Sequence, residues 1–258
     1  MIDLKARIPK PRIGLLPTGH MIYWSQFPSL KEKGMGMLAQ LKRRLEAVGE
    51  VITPGLTDTP EKAVEAGKLF AQKEIDIIFI FPLGYTTGMV MAPAIRDLSV
   101  PIRILNAHSD SSYDLKKSDT AEYLFHEGPC CVPEYAGTLV SMGKKFKVLT
   151  GHFGQENFWK DVFSDCAGAA AARVFRSLNF GIIGNTYTNM TDMPTDEHRV
   201  LRATGRLLKR PEIEELAGAF SRVTPAKLDD MCRQLRELYE VDSSVTNEHM
   251  RFSAQAAV

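Results

Sequence analysis

Asp76-Ile77-Ile78-Phe79-Ile80-Phe81 is the stretch that most narrows what this chain can become. It is nearly all apolar, far shorter than the ~20 residues of a membrane span, and free of the polar alternation of a half-solvated strand. Isoleucine and phenylalanine in such a run suit a strand covered on both faces. Both faces of a strand are covered where helices pack on either side of a mostly parallel sheet. The run therefore predicts an α/β fold, a doubly wound sheet of flavodoxin or Rossmann type.

The rest of the chain alternates accordingly. Apolar Arg12–Leu16 is followed by a helical pattern over 30–48, then strand-like Glu50–Thr53. Thr59-Pro60-Glu61 has the form of a helix start, with a side-chain cap and proline at the first helical position, and the helix runs to Lys73. A helix is expected over 88–98 and a strand over 101–105. Periodicity then lapses from Asn106 to Cys131, a polar, Ser/Asp-rich connection of a length that is more often functional than idle. It resumes with a helix from Glu134 to Met142, a strand from Phe146 to Leu149 and a helix from Gln155 to Arg173. After Arg176 the texture changes. Leu178–Ile183 is strand-like, an irregular segment runs to Glu197, Val200–Thr204 follows, and helices cover 211–220 and 225–239. The expected domains are 1–176, the α/β domain, and 177–258, a second α/β domain. The last of these residues, 247–258, form a helix-compatible run ending on small apolar residues without a cap, which reads as an interrupted element and an incomplete domain.

Composition excludes some partners. A net charge of +1 over 258 residues gives no basic field for nucleic acid, and no apolar run is long enough for a membrane. Cys130, Cys131, Cys166 and Cys232 fit no zinc spacing or disulfide framework. With no secretory leader in the charged Met1–Lys10 stretch, they place the protein in the reducing cytoplasm.

Strand ends carry the candidate chemistry, because ligands in open α/β sheets sit beyond the carboxyl ends of strands. Thr18–Trp24 lacks the glycine spacing of a dinucleotide site but offers His20, Tyr23 and Trp24 as a rim for a small polar ligand, or as surface aromatics. Pro82–Gly88 presents Tyr85, suited to stacking on a sugar. His126 and Glu127 are acid/base types, whereas Cys130 reads either as a nucleophile or as a small packing residue. Thr150-Gly151-His152 closes another strand, its histidine a hydrogen-bonder or a catalyst. Asp192, Asp196, Glu197 and His198 form an acidic-rich turn that reads either as a cation site or as a solvated loop, without EF-hand or zincin spacing.

The segments "VLTGHF" (148–153) and "FGIIGNTYTNMTDM" (180–193) resemble the middle of the L-arabinose and L-fucose isomerase-like sugar isomerases. "RIGLLPTGHMIYWSQFPSLKE", "IIFIFPLGYTTGMVMAPAI" and "LFHEGPCCVPEYAGTLV" fall in register with earlier parts of that family. The resemblance implies aldose–ketose interconversion through an enediol: one carboxylate removes the proton beside the carbonyl, another group shuttles it between oxygens, and a divalent ion, commonly manganese, polarises both. It implies a monosaccharide partner (a pentose or deoxyhexose) and a homo-oligomer in which one subunit's N-terminal domain covers its neighbour's active site. By motif position, His20, Tyr23, Tyr85 and Glu127 become substrate-binding residues. Glu127 stands where arabinose isomerases place glutamine, and Cys130 where they place histidine. The family's catalytic glutamates and metal ligands lie in its second half. The chain is therefore expected to be an N-terminal and partial central portion that binds no metal and is inactive alone. The alternative is a non-catalytic sugar-binding or regulatory remnant.

Overall fold

The structure, a computed structural model, describes residues 9–114, 116, 118–184, 186, 187 and 189–258. The N-terminal stretch to Ile8, and Asn185 and Thr188 of the resembling segment, lie outside these residues. Two compact units divide the described chain, residues 9–174 and 175–258.

In the first unit, β1 (Arg12–Thr18), β2 (Glu50–Ile52), β3 (Ile77–Pro82), β4 (Ile102–His108) and β5 (Phe146–His152) make one sheet in the order β2-β1-β3-β4-β5. Every pairing is parallel, and the order is that of a doubly wound, flavodoxin-type sheet. After β1 come α1 (Met21–Gln26) and α2 (Pro28–Glu46); after β2, α3 (Pro60–Gln72). A 3-10 turn (Gly88–Val90) and the short α4 (Ala92–Ile95) follow β3, α5 (Thr120–His126) and α6 (Gly128–Ser141) follow β4, and α7 (Glu156–Ser177) follows β5.

The central strand fulfils the reading of its sequence: all six residues of β3 are buried. Strand alternation sends Ile77, Phe79 and Phe81 to one layer, where they meet Leu41 and Leu45 of α2 and Phe158 and Val162 of α7. Ile78 and Ile80 point the other way, onto Phe70 of α3, Ile95 of α4 and Tyr135 and Leu139 of α6. Each such side chain contributes about 1.5–3 kcal/mol of burial, so both helical layers are fixed by the same five residues.

Polar contacts pin α7 to the sheet. Arg103 of β4 grips Asp165 with Nε at 2.6 Å and a second nitrogen at 3.1 Å, and Lys147 approaches at 3.6 Å. Burial pushes the Asp165 carboxyl up, but the Arg103 hydrogen bonds and charge outweigh it and hold the carboxyl below its ordinary value. A carboxyl lowered on folding stabilises the protein above the unfolded value near ~3.9, and this contribution fades as pH falls through the lowered one. Asp165→Asn should therefore cost stability at neutral pH, with a penalty that shrinks below about pH 4. Urea midpoints of both proteins across that range test this; a pH-independent difference would refute it.

Several sequence expectations are corrected. Asn106–Cys131 is not one long irregular connection: it holds α5, whose Asp119 cap accepts from the Glu122 amide at 2.8 Å. The following helix starts at Gly128 rather than Glu134: Pro129 stands in its first turn, where a missing N–H costs little, and the helix continues through the interior Pro133. Expected helix 88–98 is reduced to the 3-10 turn and four residues of α4. In the second unit, the expected strand 178–183 shrinks to β6 (Phe180–Gly181), paired in parallel with β7 (Leu208–Lys209). Val200–Thr204 belongs to α8 (Glu197–Thr204), which Asp196 caps and left-handed Gly205 ends. Among the described residues this unit also holds α9 (Ile213–Ser221), α10 (Pro225–Leu238) and α11 (Asn247–Ala257).

Candidate functional site

In a sheet of this order the topological switch point lies between β1 and β3, and a ligand is expected there. Here that crevice is filled. Tyr135 of α6 reaches through to donate its hydroxyl to Thr18 Oγ1 at 2.8 Å, and Thr86 donates to the Gly19 carbonyl at 2.9 Å. Trp24 is anchored by its indole N–H to Asp58 at 2.8 Å and lies so close to Gly19 that a Cβ there would meet the ring at 2.4 Å. Thr18 and Thr86 are fully buried.

The open space is one strand further along. β4 and β5 stay paired through Asn106↔Thr150 and His108↔His152, and Asn106 donates to the Thr150 hydroxyl at 3.2 Å. Beyond these ends lies a cleft of about 480 Å³, walled by Tyr113, Tyr123, His126 and Glu127, with His108 and Asp110 at one side. That size suits a small organic ligand. The sequence had marked this polar connection without resolving His108, Asp110, Tyr113 or Tyr123 as its working residues. A cap residue followed three positions later by glutamate, Asp119 to Glu122, was the signal for the helix that brings His126 back over β4.

The four residues predicted to bind substrate fall in two places. His20, Tyr23 and Tyr85 form an aromatic group at the β1 and β3 ends, His20 lying 5.2 Å and Tyr85 6.3 Å from Tyr23 between ring centres. His20 also caps α1. Glu127 lies apart from them, in the cleft wall.

His152 is structural. Its Nε2 meets the Ser109 carbonyl at 2.7 Å, which requires Nε2 to carry the proton, and its Nδ1 accepts from the Gly154 amide at 3.0 Å. With both nitrogens engaged, the ring holds the loop after β4 in place. Cys130 does not have the surroundings of a nucleophile. Its thiol donates to the Glu127 carboxylate, and that bond, followed by desolvation and the carboxylate's charge, raises its pKa. A reactive cysteine needs the opposite shift. Burial pushes the neighbouring Cys131 thiol up to about 12. Glu127 also accepts from Tyr123, whose phenol is raised as a result. Asp196 and Glu197 of the acidic turn are used locally, one as a helix cap and the other paired with Arg210 at 3.1 Å.

The two cleft histidines stack at 4.4 Å between ring centres. Desolvation, and then the charge of His126, lower the pKa of His108 against the pull of Asp110 and Glu122, which favours its neutral form.

No protein-family model and no curated protein matches this chain.

The cleft sets carboxylate, amide and hydroxyl groups beside two tyrosine rings, a combination that can hydrogen-bond sugar hydroxyls while covering an apolar sugar face. Among the described residues, no helix is long and apolar enough to cross a membrane.

Proposed function

We propose that this chain is the monosaccharide-binding N-terminal and central portion of an aldose–ketose isomerase-type protein, and that the cleft beyond β4 and β5 takes a pentose or deoxyhexose. The supporting observation is that Asn106, Thr150 and Glu127 share one cleft with Tyr113 and Tyr123. On this reading Glu127, already an acceptor for two neighbours, takes a sugar hydroxyl as a further donor. Tyr123 gives the flat apolar contact. The resemblance in the order of motifs supplies the reaction class. In that class manganese-assisted proton transfer uses carboxylates of another part of the protein, so the chain binds sugar without turning it over.

Titration calorimetry with a panel of pentoses and 6-deoxyhexoses tests the binding. We expect one site per chain, weakened about tenfold or more by Asn106→Ala or Glu127→Ala, each of which removes a hydrogen bond to a polar ligand. The absence of binding to any sugar of the panel would refute the proposal, and turnover of an aldose in the presence of Mn²⁺ would refute its non-catalytic part.

The same reading makes the protein a cytoplasmic homo-oligomer. Its cysteines are all free thiols, in keeping with a reducing compartment. In the second unit Ile213, Ile183 and Leu207 are 79%, 74% and 67% exposed, apolar surface of the kind that association covers. Sedimentation should show a species larger than the single chain; a strict monomer at micromolar concentration would refute the oligomer.

A further inference from the structure

Three lone-pair atoms converge at the rim of the cleft, only one of them, His108 Nδ1, served by a backbone amide. His126 Nδ1 lies 2.9 Å from the Glu122 carbonyl. A carbonyl only accepts, so Nδ1 carries a proton and Nε2 is the nitrogen whose lone pair is open to a cation. That Nε2 faces Asp110 Oδ2 at 3.3 Å and is buried without a hydrogen-bond partner. His108 Nδ1 accepts from the Asp110 amide at 2.9 Å, so its lone pair too is on the Asp110 side, 3.8 Å from the same carboxylate oxygen. The proton of His108 then resides on Nε2, likewise buried and unpartnered. Two imidazole lone pairs and a carboxylate oxygen therefore crowd together, and the three donor groups lie within 4.8 Å of one another. Acceptors at such spacing repel unless a cation, a proton or a metal ion, sits among them.

We propose that His108, Asp110 and His126 form a binding site for one divalent first-row transition-metal ion. Ligands about 2.1 Å from a tetrahedral ion stand roughly 3.4 Å apart, close to the observed His126–Asp110 separation. Closing His108 onto the ion exchanges the Asp110 amide bond at Nδ1 for a metal bond. Two imidazoles with one carboxylate favour zinc, iron or cobalt over magnesium or calcium, which prefer oxygen alone. The surroundings are those of a metal ligand set. The Glu122 carbonyl fixes the His126 tautomer, as second-layer partners of metal-bound histidines do. His152 holds the Ser109 carbonyl, and with it the loop that carries Asp110. The remaining coordination positions are left to water or to a ligand in the cleft. These residues belong to the front half of the chain, so this is not the manganese site that the sugar-isomerase resemblance implies, and it stands whether or not a sugar binds.

The test uses the full chain, free of any affinity tag and stripped with chelator, titrated with Co²⁺ and, separately, with Zn²⁺. We expect one ion per chain, visible ligand-field absorption from Co²⁺ that Zn²⁺ abolishes and Mg²⁺ in large excess does not, and a rise in melting temperature with Zn²⁺. Asp110→Asn and His126→Ala should each weaken binding by more than about tenfold. Asp110 is nearly half exposed, so its amide variant keeps the test valid if His126→Ala fails to fold. Absence of uptake by the unaltered chain, displacement of Co²⁺ by Mg²⁺, or uptake unchanged in the folded Asp110→Asn variant would each overturn the site.

Discussion

Tyr135→Ala is expected to destabilise residues 9–174 by about 3–5 kcal/mol, the range for losing a large buried aromatic. Tyr135 is fully buried and packs in the α3, α4 and α6 layer with Ile80 and Ile104. Its hydroxyl crosses to the end of β1, where Thr18 accepts it, and burial raises the phenol far above its usual value. Removal leaves a cavity beneath the filled crevice and takes the donor from Thr18 Oγ1, which keeps only its long bond to the Phe81 carbonyl at 3.5 Å. Tyr135→Phe separates the two effects, since it keeps the ring and loses only the hydrogen bond, for about 1 kcal/mol. Both tryptophans, Trp24 and Trp159, lie in this unit, so urea unfolding followed by tryptophan fluorescence reports on it alone. An alanine variant within 1 kcal/mol of the starting protein would mean that Tyr135 does not fill the crevice as described.

That crevice also shows how far the sequence could be read. The β3 run, the Thr59-Pro60 helix start and the alternation around them were legible because burial on two faces and capping leave local signatures. Those same signals were enough for a doubly wound sheet. What fills the switch point was not legible. Tyr135 lies 117 residues from Thr18, and nothing near either position announces the pairing. The strand ends were singled out as the place for ligands, yet the sequence could not say which end stays open. His20, Tyr23 and Tyr85 therefore cluster at one set of ends while the cleft opens at another. His108 and Asp110 were hidden for a different reason. β4 was expected to stop at Leu105, where its apolar run ends, whereas pairing with β5 carries it on through seven register positions to His108. A polar strand extension held by its neighbour looks like a loop in one dimension. The second unit was hardest of all, since its two-residue strands leave no periodicity.

Gly151→Val is expected to have the second large effect and to join stability to the cleft. Even a single methyl at this position would stand 2.7 Å from Phe158 Cβ. That atom is bonded to the backbone of α7 and cannot swing aside, so the clash must separate α7 from β5. Overpacking of this kind costs about 1–3 kcal/mol for a methyl-sized change, and the branched valine belongs at or above the top of the range. Thr150 and His152 flank the position, and His152 steadies the loop bearing Asp110. Displacement of β5 should therefore weaken Co²⁺ uptake in the variant that remains folded, although residue 151 contributes no ligand. Gly137→Ala is the matched control: it sits inside α6 with nothing within 4 Å of the new methyl, and helix propensity predicts a gain of up to about 1 kcal/mol. Opposite signs for the two substitutions, measured by the same fluorescence unfolding, would show that the penalty comes from contact with Phe158 and not from the loss of a glycine. A Gly151→Val protein as stable as the original would remove the close approach of α7 to β5 on which the position of His152 depends.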